Sequence, residues 1–366
     1  MRSKILRTTI FTLHRWLGLF AGLILVIVGI TGSLLVFRQE WDDWLVRWRF
    51  GTVAAATPPL DIQLLVATVK TTYANVQGAI PSYVSIPTNP ATPYTIGLQI
   101  GEIYREVFVN PVTNKILGDR QWETSIVGRL FEIHIRILSG DTGAIVVGIA
   151  ALLLLILSIT GLFLWPGWRN FISGFKIKFK AHPKRTNFDI HKVTGIITIA
   201  FLAMIAFTGF CWNFHAQSEP IIHALTNSPP PPTPVSKPIA GKTALPLNTL
   251  LQAANTALPG TRTTFISIPN QPTSAWMSIQ VFPTESVEAA RQTRIYLDRY
   301  SGKVLYLKDA RKASLGDRIL NWFHPLHYGT FGGLLTRILY VFVGLAPVVL
   351  LSTGLVMWKH RQKVKT

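Results

Sequence analysis

Four histidines stand in a fixed frame along this chain. His14 precedes an apolar run that passes through Gly18 and ends near Thr31-Gly32, and the same skeleton returns 177 residues later as His191, Gly195, Thr208 and Gly209. A second skeleton, His134, Gly140, Gly161 and Trp165, returns 193 residues later as His327, Gly333, Gly354 and Trp358. Imidazole in or near a bilayer is costly unless it finds a partner or a metal. Two imidazoles facing each other across a flat macrocycle make bis-histidine haem ligation. The frame therefore predicts two haem sites, an inner one held by His14 with His191 and an outer one held by His134 with His327. The ordinary use of such residues is snorkelling toward headgroups, as other amphipathic side chains do.

Residues beside the histidines fit either use. Gly18 and Gly195 follow their histidines by four residues, on the same helix face; each leaves room for a porphyrin edge or for close helix contact. Arg15 and Lys192 adjoin the inner pair and Arg136 the outer pair, where a cation could offset a haem propionate or anchor to phospholipid headgroups. His324, one turn before His327, is an alternative outer ligand. His215 closes a span, and His182, His223 and His360 are expected to be solvated. Trp165 and Trp358 read as interfacial belt residues, and the lone Cys211 as a small apolar packing residue.

These residues need long apolar helices to position them. Among 366 residues, 49% are hydrophobic and only 14% charged, too apolar for an ordinary soluble protein of this size. Apolar runs long enough to cross a bilayer occur at about 16–37, 142–165, 193–214 and 334–358. The expected architecture is a mostly α membrane protein, a four-transmembrane-helix bundle built from two tandem halves. Its divisions are 1–37 (first span and basic N-terminus), 38–133 (external α+β domain), 134–165 (second span), 166–192 (basic loop), 193–214 (third span), 215–326 (Pro-rich linker and second external domain), 327–358 (fourth span) and 359–366 (basic tail).

Lysines and arginines concentrate at the N-terminus, in the 166–192 loop and at the C-terminus, with Asp189 the one opposing acid. Basic flanks stay cytoplasmic, so both termini are placed inside and the two long connections outside. The net charge of +19 is then mostly topology, and no nucleic-acid partner is implied. The first span is too long for a signal-peptide core and lacks an A-x-A-like cleavage site, so it reads as a retained anchor.

Each long connection repeats a small α+β pattern. Segments 59–75 and 246–258 read as amphipathic helices. Strand-like runs follow at 82–90 and 264–272. Segments 105–119 and 294–309 read as hairpins turning at Asn114-Lys115 and Gly302-Lys303. The run 228–238, SPPPPTPVSKP, reads as an extended polyproline spacer.

The motifs LHRWLG with TGSLLVF, DxHKxxG, HxxxxxG leading to TGLFLW, and LHYGTFGG leading to TGLVMWKHR resemble the PepSY-associated transmembrane proteins, which include iron-regulated membrane proteins and siderophore reductases. The resemblance covers nearly the whole chain. It implies that each external unit is a PepSY-like domain, and that the protein is a b-type haem oxidoreductase reducing a ferric siderophore or other ferric chelate outside the bacterial inner membrane. The chain has no GxGxxG after a strand, no P-loop, no HExxH and no CxxC, so nicotinamide, NTP, zinc-peptidase and thiol-redox chemistry lack their minimum parts. The electron donor is thus external, a cytoplasmic reductant or a quinol. Two other readings stay open: a non-enzymatic PepSY membrane protein that binds or restrains an extracytoplasmic peptidase, and an accessory subunit of iron uptake.

Overall fold

The structure, a computed structural model, describes residues 2–55, 61–282 and 293–362. Pro59 and Leu60 of the first amphipathic segment, and Lys363 and Lys365 of the basic tail, lie outside the described residues. In chain order the elements are α1 (Arg2–Leu35), α2 (Arg38–Phe50), α3 (Ile62–Thr72), β1 (Ala79–Ser85), β2 (Tyr94–Ile100), β3 (Ile103–Val109), β4 (Ile116–Gln121), α4 (Ile126–Arg136), α5 (Gly140–Leu164), α6 (Phe171–Phe175), α7 (Pro183–Asn213) and α8 (His215–Leu225). They continue with α9 (Leu247–Ala257), β5 (Arg262–Ser267), β6 (Trp276–Val281), β7 (Arg294–Leu297), β8 (Val304–Lys308), α10 (Leu315–Tyr328) and α11 (Gly333–Gln362). These elements divide between two compact units.

The first unit holds residues 1–37, 129–221 and 322–366. Among the described residues, four helices are long and apolar enough to cross a membrane: α1, α5, α7 and α11. Each of α1 and α7 packs on both α5 and α11, so α1 and α7 lie diagonally across a four-helix bundle. Ala21, Leu25 and Ala150 bury the α1–α5 contact, and Leu202, Val343 and Ala346 the α7–α11 contact. Where α1 crosses α11, a side chain on Gly29 would collide with the Gly344 carbonyl. At the same crossing the Ser33 hydroxyl donates to the Val341 carbonyl at 2.9 Å. Small residues let the backbones approach this closely, as membrane helices require. Phe20, Leu23, Ile159, Leu335 and Phe342 face outward and exposed, the surface a bilayer covers.

The histidines do not head the spanning helices. α1 is helical from Arg2, so His14 lies well inside it, and α7 starts at Pro183, a favoured first-turn residue, two turns before His191. His134 and His327 lie on separate helices, α4 and α10. The chain breaks between α4 and α5 at Ile137, Leu138 and Gly140, and between α10 and α11 at Gly329 and Gly333, all with positive φ. Trp165, expected as a belt residue, is buried in an aromatic cluster with Trp168, Phe171 and Phe175.

The second unit, residues 38–128 and 222–321, is built on one antiparallel sheet in the order β4-β3-β2-β1-β5-β6-β7-β8. Its centre is the β1–β5 pairing, with Val84 opposite Ile266. β1 and β5 stop before Pro87 and Pro269, shorter than the sequence pattern suggests, because proline has no N–H to donate to a ladder. α3 and α9 bury Ile62, Leu65, Val69, Leu250 and Ala254 on the sheet against Ile96, Leu98, Trp276, Ile295 and Leu297. Their N-termini are tied together: Asp61 accepts from Leu64 N and Asn248 Nδ2, both at 2.8 Å, and Leu247 N donates to Gln63 at 2.8 Å. The two outer hairpins turn at Asn114 and Gly302, each with positive φ. Asn110 and Asp298 close those turns by accepting backbone N–H groups two and three residues on, as Asx turns do. The proline-rich run forms no helix or strand, and its end is fastened by an isolated bridge between Val235 and Ser274, with Ser236 N donating to the Thr273 carbonyl and Lys237 N to Asp298.

Arg120 is the ionic centre of this unit. It donates to both Asp42 oxygens at 2.7 Å and to Glu106 at 2.7 Å, and its side chain is 9% exposed. Burial raises the Glu106 carboxyl above its usual range, and Arg120 opposes that shift. Arg120→Ala is expected to cost about 3–5 kcal/mol, because it strands two carboxylates in a partly buried site. Hydrogen exchange of β3 and β4 should report the loss. The deficit should shrink as pH falls through the raised pKa of Glu106, since protonation removes the unpaired charge.

Candidate metal centre

Within the bundle the histidines meet in two pairs. The rings of His14 and His191, on the diagonal helices α1 and α7, have centroids 6.4 Å apart with planes at 84°. Those of His134 and His327 are 6.2 Å apart at 74°. Two metal–imidazole bonds of about 2.0–2.1 Å, each followed by about 1.1 Å to the ring centre, place centroids about 6.3 Å apart when one metal ion lies between them. Along α1, 17 residues separate His14 from Thr31, the residue that meets His134. At 1.5 Å rise per residue the two pairs are thus about 25 Å apart along the bundle.

Each imidazole sits on a Thr-Gly pair of a neighbouring helix. His14 Nδ1 lies 2.8 Å from Thr160 Oγ1 on α5, His191 Nδ1 2.9 Å from Thr353 Oγ1 on α11, and His327 Nδ1 2.8 Å from Thr208 Oγ1 on α7. His134 Nδ1 lies 3.3 Å from Thr31 Oγ1 and 2.9 Å from the Val28 carbonyl on α1. The glycine after each threonine faces the ring: Cε1 is 2.8 Å from where a Cβ on Gly32 would stand, 3.2 Å at Gly209, 3.3 Å at Gly161 and 4.0 Å at Gly354. Thr31-Gly32 and Thr208-Gly209 stood out in the sequence as landmarks, not as histidine seats. The signal that would have found the seats is the Thr-Gly dipeptide near the end of all four spans.

A cavity of about 1030 Å³ surrounds the His14/His191 pair, at the upper end of ligand-site volumes. It is lined by Gly18, Gly22, Gly161, Gly195 and Gly354 among leucines, with Lys4, Arg7, Arg15, Lys184, Arg185 and Arg361 also on its wall. At Gly18 and Gly195 a Cβ would meet only a leucine methyl, at 3.7 and 3.8 Å. These two glycines therefore open space beside the histidines, whereas Gly29 serves helix contact. Among the described residues no cluster of three or more His, Cys, Asp or Glu occurs. Two imidazoles alone suit an iron whose other four ligands come from a macrocycle; at His14/His191 the spacing, the cavity and the donor set fit haem, and at His134/His327 the spacing and the donor set do.

Of the cations named from the sequence, Arg15 lines the cavity, with its guanidinium over Trp16 at 5.2 Å and its Nε buried without a hydrogen bond. Lys192 also lines the cavity, but its ammonium is already committed: it donates to Asp189 at 2.9 Å and to the carbonyls of Ser173 and Lys176 at 2.9 and 3.0 Å, which uses all three of its protons. Arg136 is half exposed and pairs with Glu132 at 3.6 Å. His324 stacks on Tyr328 with centroids 4.4 Å apart, and it is His327 that lies opposite His134. Trp212 packs on the His327 ring at 4.8 Å. His223, expected to be solvated, is buried beside Asp317 in the second unit.

Four membrane-length helices and histidine pairs inside their bundle define a multi-pass membrane protein. Residues 11–361 match the PepSY-associated TM region family, and the chain belongs to it. No curated protein matches the chain.

The Lys192 cluster generates a contrast between two neighbouring cations. Lys192→Met leaves the wholly buried Asp189 with Arg185 and the Lys178 N–H on one oxygen and nothing from Lys192 on the other, and should lower stability by about 3–5 kcal/mol. Arg15→Gln breaks no ion pair within the chain and should change the stability of the haem-free protein by no more than about 0.5 kcal/mol. Thermal unfolding of the two variants in detergent measures the difference; equal melting temperatures would remove Asp189–Lys192 as the organiser of this end of α7.

Proposed function

We propose that this protein is a haem-containing membrane oxidoreductase that passes electrons across the bacterial inner membrane and reduces ferric iron, bound as a ferric siderophore or another ferric chelate, on the outer side. The observation that carries this reading is the pair of opposed imidazole couples, both at a metal-sandwich spacing and about 25 Å apart along one bundle. Bound b-type haem supplies reversible one-electron chemistry at each level. The protein's own part is to hold and surround the two groups. His14 and His191, contributed by α1 and α7, would hold one haem iron. His134 and His327, from α4 and α10, would hold the other. Gly18 and Gly195 would leave room for the macrocycle, and Arg15 would offset a propionate.

The ferric substrate is held by hard oxygen donors, and Fe(II) is a poorer match for them, so one-electron reduction loosens the chelate. The donor is external, a cytoplasmic reductant or a quinol. In this reading the chain is two tandem halves. The basic N-terminus, the 166–192 loop and the basic tail are cytoplasmic, and the PepSY-like domains that share the sheet are extracytoplasmic.

Purified protein should be red, and dithionite should give a reduced b-type spectrum. His14→Ala and His191→Ala should each remove one haem and leave the other. His134→Ala and His327→Ala should each remove the second, and a double mutant within a pair should add little to either single one. Haem-to-protein ratios decide the matter: a colourless wild-type protein, or four single mutants that keep full haem, would end this reading. His324→Ala should keep both haems. Reporter fusions test the orientation separately. They should read outside at Asn89 and Asn270 and inside after Lys178 and Thr366, and an inside reading at Asn270 would overturn the two-halves topology.

A further inference from the structure

The four Thr-Gly seats share one hydrogen-bond logic. Each threonine hydroxyl has a single proton and lies within reach of the carbonyl four residues back on its own helix: Thr31 of Ile27 at 2.8 Å, Thr160 of Ile156 at 2.8 Å, Thr208 of Met204 at 2.9 Å and Thr353 of Val349 at 2.6 Å. A carbonyl can only accept, so that proton is spent along the helix. The hydroxyl can then only accept from the histidine, which makes Nδ1 the protonated nitrogen. At His134 a second acceptor points the same way, because the Val28 carbonyl, three residues before Thr31, lies 2.9 Å from the same Nδ1. Nε2 is left with its lone pair.

We propose that Thr31, Thr160, Thr208 and Thr353 are positioning residues that fix all four imidazoles as Nδ1–H tautomers with Nε2 offered to iron, and that the glycine after each sets how closely the ring can seat. This rests on the haem reading above. The seats are exchanged within each run of the chain: α1 carries His14 and the seat of His134, and α7 carries His191 and the seat of His327. The two rings of one pair are thus braced by α5 and α11, and the two rings of the other by α1 and α7. A partner on the far ring nitrogen holds a ligating histidine in orientation and raises its basicity, and losing such a partner typically weakens metal retention about 10–100-fold.

The geometry grades the consequences. Thr160→Val, Thr208→Val and Thr353→Val remove the near acceptor and should each raise the midpoint potential of the haem they serve, because a less basic imidazole stabilises the ferric state less. The other haem should not change. The matching Thr→Ser variants should restore the wild-type potential and low-spin EPR signature, which a merely structural loss would not allow. Thr31→Val should have the smallest effect of the four, since Val28 stands nearer to His134 Nδ1 than Thr31 does, at 2.9 against 3.3 Å. Among the glycines, Gly32→Ala forces its methyl against the ring and should cost most haem, Gly354→Ala should cost least, and Gly161→Ala and Gly209→Ala should fall between them.

The experiment is a redox titration with EPR of these variants in the purified full-length protein, together with 15N spectra of the histidines after haem extraction. Potentials and EPR unchanged in the valine variants, or Gly354→Ala losing as much haem as Gly32→Ala, would overturn the proposal. If wild-type protein carried no haem, the functional reading would fail, and the 15N spectra would still decide the seats. Nδ1–H tautomers at all four histidines support them, and an Nε2–H tautomer at any of the four refutes that seat.

Discussion

The imidazole–threonine hydrogen bond, made four times, is the contact on which the arrangement of the bundle rests. A polar ring inside an apolar bundle is unfavourable unless its nitrogens are satisfied. Here one nitrogen is satisfied by a threonine whose own hydroxyl proton is already committed to its helix. That demand explains the breaks in the chain before α5 and α11. Ile137 and Leu138 adopt positive φ, unfavourable by roughly 1–2 kcal/mol for each such residue. The turn so made separates α4 from α5, and His134 on α4 meets Thr31 of α1. The equivalent turn at α10 uses Gly329 and Gly333, where the same backbone sign carries no Cβ penalty.

Glycine does two opposite jobs in this bundle. At Gly29 its absent side chain brings α1 against the backbone of α11, and at Gly18 and Gly195 the same absence leaves open space beside a histidine. The closest backbone approach of α1 and α11 is at Gly29, Ser33 and Gly344, while the cavity around His14 is lined by glycines and leucines with cations also on its wall. Helix packing in lipid lacks a strong hydrophobic drive, so such local contacts decide where a bundle closes and where it opens.

The sheet unit solves a different problem. Two four-stranded sheets standing alone would each present a free edge, and unpaired edges invite aggregation. The antiparallel pairing of β1 with β5 removes one edge from each and merges the helix-covered faces into one core centred on Val84, Ile266 and Trp276. The Asp61–Asn248 and Gln63–Leu247 hydrogen bonds then lock α3 to α9 across the join.

Local pattern was enough to read the four spans, the helix-then-strands order of the long connections, and the turn positions at Asn114 and Gly302, because hydropathy, periodicity and turn chemistry are properties of neighbouring residues. The constant offsets between His14 and His191, and between His134 and His327, also identified the histidines that meet. The sequence could not tell that His134 and His327 ride on separate helices, that Lys192 is spent on Asp189, or that Gly18 opens space rather than closing a contact. Nor could it show that each histidine rests on a threonine 103 to 162 residues away or that β1 pairs with β5. Each of these depends on residues brought together from distant parts of the chain. Sequence by itself determined which residues are polar, small or cationic and at what spacing they recur; tertiary structure alone decided which partner each one satisfies, because a hydrogen bond is won by whichever acceptor packing carries within about 3 Å.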